Sequence, residues 1–146
     1  MNGQRTESIF KPGFTLDAIR ATGKSTLAEA LGIEVVAIGQ DSVTLRMPVD
    51  HRTHQPMGIL HGGASVALAE TAGSIAANGT IDHQSQMCVG MEINANHLRP
   101  VRSGFVTGVA QPIHLGKSTQ VWEIKISDDN GKLVCVSRLT IAVLSK

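Results

Sequence analysis

The chain contains no tyrosine, and its aromatic residues are limited to three phenylalanines and one tryptophan among 146 residues. Proteins that bind single-stranded nucleic acid stack bases on aromatic side chains, so this chain has little with which to build such a platform. Charge of one sign is also missing, because 13 lysines and arginines are scattered among 12 aspartates and glutamates. A formal net charge of +1 argues against binding to a nucleic-acid backbone.

Cysteine and metal-ligand patterns are scarce as well. The two cysteines, Cys88 and Cys135, lie far apart in apolar runs, so we expect both to be buried, reduced thiols. His51 and His54 are three residues apart, but the sequence around them supplies no further ligands at recognisable spacing. The sequence therefore predicts neither a metal nor a separate cofactor.

Nothing in the sequence predicts a targeting segment or a membrane partner. The N-terminal residues MNGQRTESIFKPGF carry charges of both signs and lack an apolar stretch long enough for a signal peptide. The run 62–81 approaches membrane-spanning length, but it consists mainly of small residues and contains Glu70. We therefore expect a cytoplasmic protein in which this run is an ordinary helix.

The composition, 42% apolar and 17% charged, is sufficient for one compact domain of this length. Thr15 is placed to cap a short first helix, and residues 27–31 are also predicted to be helical. One long helix is predicted over about 62–78. Six β-rich runs are predicted at 32–38, 42–49, 86–99, 104–114, 118–127 and 132–144.

The order of two strands, one long helix and four strands predicts an α+β fold. Turns such as Asn130-Gly131, at which we expect two positive-φ residues, link neighbouring strands and favour an antiparallel sheet. The simplest arrangement wraps this six-stranded sheet around the helix. Because the last run is apolar on both faces, we expect another copy of the chain to cover part of the sheet.

The long helix carries one ionisable side chain, Glu70. A solvated helix face normally carries several charged residues, whereas the small residues around Glu70 suit close approach by a ligand or another backbone. Helical periodicity gives this face the residues Gly63, Ala67, Gly73, Ser74 and Ala77. Glu70 is thus a candidate general base or nucleophile, and an ordinary solvated glutamate is the alternative.

The segment before the helix brings Gln55, His61 and the pair Gly62-Gly63 to its N-terminus. A helix N-terminus presents unpaired N–H groups and a positive dipole end, which can stabilise negative charge on a carbonyl oxygen. Gly62 would let a substrate carbonyl approach the backbone. The alternative is an ordinary cap, in which His61 accepts a backbone N–H and the glycines only ease the turn.

Basic residues mark a second candidate region. His97 and Arg99 are two residues apart and are predicted to project from one strand face, while Lys117 and Ser118 follow another strand at a turn. These groups could bind phosphates. Charges that protect an exposed sheet edge are the alternative.

Two of these stretches together resemble a known family. Gln55-Pro-x-Gly-x-x-His61-Gly62-Gly-Ala-Ser, followed by Ala-Glu70-Thr-Ala-Gly-Ser74, resembles the hotdog-fold acyl-CoA thioesterases of the PaaI-like group. Within that group, 1,4-dihydroxy-2-naphthoyl-CoA hydrolases and aryl-thioester proofreading enzymes are most similar. Further likeness at 90–99 and 114–122 extends the resemblance over about 15–144. It implies a hotdog thioesterase domain at 15–146 after an N-terminal extension, 1–14.

The resemblance implies hydrolysis of an acyl- or aroyl-CoA thioester, with 1,4-dihydroxy-2-naphthoyl-CoA as one candidate and coenzyme A as part of the substrate. Glu70 matches the family's catalytic carboxylate, and Ser74 a hydroxyl that orients water or the leaving group. Gln55 and His61 match the side chains that polarise the thioester, and Gly62 the backbone donor to its oxygen. The implied CoA path follows Gly90, His97, Leu98, Arg99, Pro100, His114, Leu115, Gly116, Lys117, Ser118 and Thr119.

Helical spacing adds a prediction about assembly. Gly62 and Glu70 are eight residues apart, which is about 12 Å along one helix. One thioester cannot touch both, so we expect each site to combine two subunits of a homodimer. Separately from this spacing, we expect the dimers to associate as a dimer of dimers, a homotetramer. A hotdog dehydratase acting on β-hydroxyacyl thioesters and a non-catalytic acyl-CoA-binding protein remain alternatives. The route of hydrolysis, by base-activated water or through an anhydride, also stays open.

Overall fold

The structure, a computed structural model, describes residues 7–146; the first six residues of the predicted N-terminal extension lie outside them. The elements follow the predicted order, and the α+β class is confirmed. The helices are α1 (Leu16–Ala21), α2 (Leu27–Ala30) and α3 (Gly62–Gly79). The strands are β1 (Glu34–Ile38), β2 (Val43–Pro48), β3 (Gln86–His97), β4 (Phe105–Leu115), β5 (Thr119–Asp128) and β6 (Leu133–Ser145).

The six strands form one antiparallel sheet in the order β1-β2-β4-β5-β6-β3, so β1 and β3 are its edges. The sheet encloses α3, which contacts every strand from β2 to β6. Leu68 of the helix is fully buried together with Leu45, Trp122 and Leu139 from the sheet. The predicted hotdog arrangement, a sheet wrapped around one long helix, is therefore confirmed.

The segment before β1 lies on the outside of this core. The Thr15 hydroxyl caps α1 by accepting the Ala18 N–H at 3.2 Å, as predicted. The helix predicted over 27–31 is present as α2. It is separate from α1, because Ser25 takes a positive φ of 58° and Thr26 caps α2. Neither short helix contains a buried residue.

Residues 9–14 lie against the C-terminal end of α3. The Lys11 N–H donates to the Gly79 carbonyl at 2.8 Å, and the rings of Phe10 and Phe14 pack with centroids 4.7 Å apart. A Cβ at Gly79 would lie 2.7 Å from both rings, so the glycine permits this close contact. The described part of the N-terminal extension is thus packed against the central helix.

Several local predictions are wrong. β3 ends at His97, since the N–H groups of Leu98 and Arg99 both donate to the Val134 carbonyl; Arg99 therefore does not share a strand face with His97. In the β5–β6 turn only Gly131 has a positive φ, +75°. The carboxylate of Asp128 holds that turn instead, by accepting two backbone N–H groups.

The two cysteines differ in burial. Cys135 is buried, as predicted, whereas Cys88 is only half-buried, because it lies on the edge strand β3. Both are free thiols, and burial raises the pKa of each. Within residues 7–146, no helix is long and apolar enough to cross a membrane, and no three His, Cys, Asp or Glu side chains gather as a metal site would need.

Candidate active site

Glu70 lies midway along α3, and its carboxylate rests on the backbone of edge strand β3. A Cβ built at Gly90 would lie 2.7 Å from Glu70 Oε1, so the carboxylate occupies the space that the glycine leaves. The β3–β6 register shifts between Gly90 and Glu92, which places a β-bulge beside this contact. Glu70 is exposed, and within residues 7–146 its carboxylate makes neither a hydrogen bond nor an ion pair. It is free to act on a ligand.

The small-residue face predicted around Glu70 is narrower than expected. Gly73 and Ala77 are buried, and a Cβ at Gly73 would lie 2.7 Å from Leu139 Cδ2. These two residues therefore serve the packing of helix on sheet. Ser74, one turn beyond Glu70, does remain on the open side and is half-buried.

A cavity of about 810 Å³ opens beside Glu70. Ser74 and Ile75 of α3 share its wall with Glu70, and α1, α2, β1 and β2 close the other sides. Its apolar lining comes from Ile19, Leu27, Ala28, Ile33, Val35, Leu45 and Ile75. The walls also carry the charged side chains of Arg20, Lys24, Glu29 and Glu34. A carboxylate at the wall of a cavity of this size with a partly apolar lining is the arrangement of a small-molecule site.

His61 caps the N-terminus of α3, as the alternative interpretation of this segment had it. Its Nδ1 accepts the Gly63 N–H at 2.8 Å. A ring nitrogen that accepts a hydrogen bond carries no proton, so in the neutral ring the proton is on Nε2. The cap thereby leaves the Nε2–H of the exposed His61 available as a donor. Capping the helix is therefore compatible with donating a hydrogen bond to a substrate.

Gly62 lies against the ring of His97. A Cβ at Gly62 would lie 2.8 Å from His97 Nε2, so a larger residue at position 62 would displace the histidine ring. As the first residue of α3, Gly62 also has a backbone N–H that no carbonyl of its own helix can accept. The start of the helix thus combines an unpaired N–H with two histidines. The contact between Gly62 and His97 could not be inferred from sequence spacing.

Gln55 lies in a tight turn next to this corner. Its side-chain oxygen accepts the Met57 N–H, and its backbone N–H donates to Ile59 at 2.9 Å. The His61 N–H donates to the Thr53 carbonyl at 2.8 Å, which ties the turn to the helix start. With its oxygen engaged, the Gln55 amide presents only its NH₂ group as a donor.

Glu70 and the Gln55–His61 corner do not meet within one chain. Gly62 and Glu70 lie on the same helix, eight residues and thus about 12 Å apart. The corner contacts β3 at His97, whereas Glu70 contacts it at Gly90. One chain therefore carries two separate halves of the predicted site.

The residues predicted to follow CoA are divided in the same way. His97 to Pro100 are exposed at the C-terminal end of β3. The turn from His114 to Thr119 lies at the other end of the sheet, where Thr119 pairs with Ala142 and Ala142 with Val89. Val89 and His97 are eight residues apart on β3, about 27 Å along the strand. A single chain does not bring the two groups together.

The sequence analysis missed the cavity wall contributed by α1, β1 and β2, for which no motif exists. The apolar residues of β1 and β2 were a signal for burial, but only the packed structure shows that Val35 and Leu45 line the same cavity as Glu70.

The two loop histidines do not form a ligand pair. His54 Nε2 donates to the Arg102 carbonyl at 2.9 Å, and His51 is exposed.

Comparison with known proteins gives a consistent result. The family model described as "Thioesterase superfamily" matches residues 57–135. The chain is 53% identical to the proofreading thioesterase EntH of Cronobacter turicensis, over 93% of this chain and 98% of that protein. It is 50% identical to the 1,4-dihydroxy-2-naphthoyl-CoA hydrolase of Escherichia coli, over 93% of this chain and 99% of the relative.

Solved structures show the same likeness in three dimensions. A crystal structure of a mutant of thioesterase PA1618 from Pseudomonas aeruginosa superposes with a TM-score of 0.93 at 49% sequence identity. The superposition covers 95% of this chain and all of that one. The similarity therefore extends over both halves of the site.

Proposed function

The chain belongs to the thioesterase superfamily and is a thioester hydrolase, and from this premise we propose that it cleaves an acyl- or aroyl-CoA thioester to the free acid and coenzyme A, using Glu70. The membership confirms the resemblance inferred from the motifs. The observation that carries the assignment of Glu70 is its unpaired carboxylate, held against Gly90 at the wall of the 810 Å³ cavity.

Glu70 has two chemically balanced routes. As a general base it takes a proton from water, whose oxygen attacks the thioester carbon, and the departing CoA thiolate is then protonated. As a nucleophile its own oxygen attacks, CoA leaves, and water hydrolyses the resulting anhydride. Ser74, one turn away in the same cavity wall, is placed to orient the water or the leaving group in either route.

The helix start supplies the donors that such an attack requires. Negative charge develops on the thioester oxygen, and the free Gly62 N–H at the positive end of α3 can stabilise it. The Nε2–H of His61 and the amide of Gln55 are additional donors, because each residue's acceptor atom is already used by its own backbone. This corner is thus a set of fixed donors and supplies no base.

A homodimer brings the two halves together. β3 is a long edge strand on which Met87, Val89 and Met91 are 43%, 41% and 66% exposed, an arrangement that invites pairing with a second copy. If two β3 strands pair antiparallel about a two-fold axis near Ile93 and Asn94, then Gly90 lies opposite His97 of the partner subunit. Glu70 then faces the partner's Gly62, and each dimer contains two complete sites.

The same two-fold symmetry would bring together the two groups of residues predicted to bind CoA. The turn at Lys117 and Ser118 lies at the Val89 end of β3, which this pairing sets beside the partner's His97. Basic groups from both subunits would then line one route for the CoA phosphates. The assembly therefore explains why one chain separates these residues.

The test is to incubate the purified protein with a panel of CoA thioesters, including benzoyl-, decanoyl- and 1,4-dihydroxy-2-naphthoyl-CoA, and to follow thiol release with a thiol-reactive dye. We expect stoichiometric release of CoA and free acid. Hydration or dehydration of β-hydroxyacyl or enoyl thioesters without thiol release would favour the dehydratase alternative. Tight binding without turnover would favour an acyl-CoA-binding protein.

A further inference from the structure

A second cavity adjoins the one beside Glu70. It measures about 510 Å³ and lies between residues 11–14, α1 and the C-terminal half of α3. The two cavities share four wall residues, namely Ile19, Thr22, Ser74 and Ile75. We call the cavity beside Glu70 the proximal compartment and the other the distal compartment.

The two compartments follow one another along α3. The proximal compartment includes Glu70 and ends at Ser74 and Ile75, about 6 Å along the helix from Glu70. The distal compartment continues past Asn78, about 12 Å from Glu70. An extended chain of tetrahedral carbons advances about 1.2 Å per bond. The 6 Å length of the proximal compartment thus corresponds to an acyl chain of about five carbons, and the 12 Å length of both compartments together to about ten.

We propose that the two compartments form one acyl site for a linear, saturated chain of about ten carbons, and that Ile19 of α1 controls passage between them. This inference rests on the proposed CoA thioesterase function and adds the class of acyl group. Ile19 and Ile75 are the two large apolar side chains common to both walls. A flexible chain suits a passage between two branched side chains better than a rigid fused ring does.

The chemistry of the walls supports a chain that ends in the distal compartment. Phe14, Ala18 and Ile19 line it on the side of the N-terminal segment. Its far end is polar, with Lys11, Asn78 and His83 in the wall, so burial of further methylene groups stops there. The N-terminal segment and α1 therefore form the roof of a specificity site.

α1 has few polar contacts with the sheet. Within the described residues, the one side-chain hydrogen bond from α1 to the sheet runs from Arg20 Nη2 to the Val35 carbonyl of β1, at 2.9 Å. α1 contains no fully buried residue, but Ile19 is half-buried and packs against the core. Folding of an Ile19 variant is therefore checked by circular dichroism before its kinetics are compared.

The first experiment uses the wild-type protein and straight-chain acyl-CoA substrates from butanoyl to hexadecanoyl. Each methylene that becomes buried is expected to raise kcat/KM by about twofold to fourfold. We expect a rise up to about ten carbons and a decline beyond. A profile that is flat, or that is highest below six carbons, would overturn the inference, whereas absence of thiol release with every substrate would instead overturn the proposed function.

The second experiment compares Ile19→Trp with Ala21→Trp, a matched control on the exposed part of the same helix that lines neither compartment. We expect Ile19→Trp to lower the ratio of kcat/KM for decanoyl-CoA to that for butanoyl-CoA at least tenfold, and Ala21→Trp to leave it unchanged. An unchanged ratio in a folded Ile19→Trp protein would refute a role for the passage. If that variant fails to fold, the wild-type profile still decides.

Discussion

Glu70 Oε1 occupies the space that a side chain at Gly90 would fill, 2.7 Å from the position of a Cβ there. The central helix and the edge strand are therefore in close contact where the candidate base lies. Any side chain at position 90 must displace the carboxylate or the strand. The residue at position 90 of β3 therefore determines where the proposed catalytic carboxylate can lie.

Replacing Gly90 with alanine is expected to lower kcat about tenfold to a hundredfold, because misplacement of a reacting group by about 1 Å has costs of this order. The free energy of unfolding should change by no more than about 1 kcal/mol, since the site is exposed. Gly108→Ala on β4 is the control, as its new Cβ would lie 3.4 Å from Leu68, an ordinary contact. Wild-type kcat in Gly90→Ala would show that the carboxylate need not occupy this position.

Replacing Glu70 with glutamine is expected to preserve the fold and CoA binding while lowering kcat at least a hundredfold. The amide has nearly the same shape as the carboxylate but is neither a base nor an effective nucleophile. Steady-state kinetics, circular dichroism and calorimetric titration with CoA measure the three properties. Glu123→Gln, which makes the same chemical change at the Lys125 ion pair on β5, should leave kcat within about twofold. Comparable losses in both variants would argue against a specific role for Glu70.

Chelation is expected to leave hydrolysis unchanged. Within residues 7–146 no His, Cys, Asp and Glu side chains cluster as ligands, and His54 is engaged by a backbone carbonyl. Prolonged dialysis against a strong chelator, followed by the thiol-release assay, measures this. Activity that disappeared and then returned on addition of zinc would show that a metal takes part.

Low pH is expected to destabilise the loop before α3, because Asp50 loses its charge. Its carboxylate pairs with Arg52 at 2.7 Å, and this hydrogen bond holds the pKa of Asp50 at about 2, below the usual 3.8. A lowered carboxylate pKa stabilises the folded state above pH 3.8 and loses that effect as the pH falls through 2. The difference in unfolding free energy between wild type and Asp50→Asn should therefore be constant near neutrality and shrink below pH 3.8. A difference that does not change with pH would contradict this account.

Most of the fold could be predicted because local patterns and global packing agree. The single acid in a long run of small residues identified α3, and β-rich runs bounded by turn residues located all six strands to within two residues at each end. The errors came where a tertiary contact decides the outcome. Arg99 left the strand because its N–H bonds to Val134, and Asn130 needs no positive φ because Asp128 holds the turn.

The site could be predicted only as a set of residues, without its three-dimensional arrangement. Motifs selected Glu70 and His61, but the contacts of Gly62 with His97 and of Gly90 with Glu70 depend on how β3 crosses the helix. Sequence spacing contains no such long-range register. The acyl compartments were missed for the same reason, because α1 and β1 carry ordinary apolar residues that gain a role only by packing beside α3.

The shared site predicts that two inactive variants restore each other. Glu70→Ala removes the candidate base, and His61→Ala removes a donor at the helix start, where loss of the cap costs about 1 kcal/mol and leaves the fold intact. When the two are unfolded and refolded together, about half of the dimers should contain one copy of each. In these heterodimers one site carries both defects, and the other combines an intact Glu70 with an intact His61 of the partner subunit.

Each heterodimer therefore regains one of its two sites, and the mixture should recover roughly a quarter of wild-type activity. Refolding each variant alone under the same conditions is the control and should recover none. Native mass spectrometry measures the fraction of heterodimers, so the expected activity can be calculated for the mixture actually obtained. If heterodimers form but activity stays at the level of the separate variants, then Glu70 and His61 of one site come from the same chain. That result would refute the shared arrangement of the site.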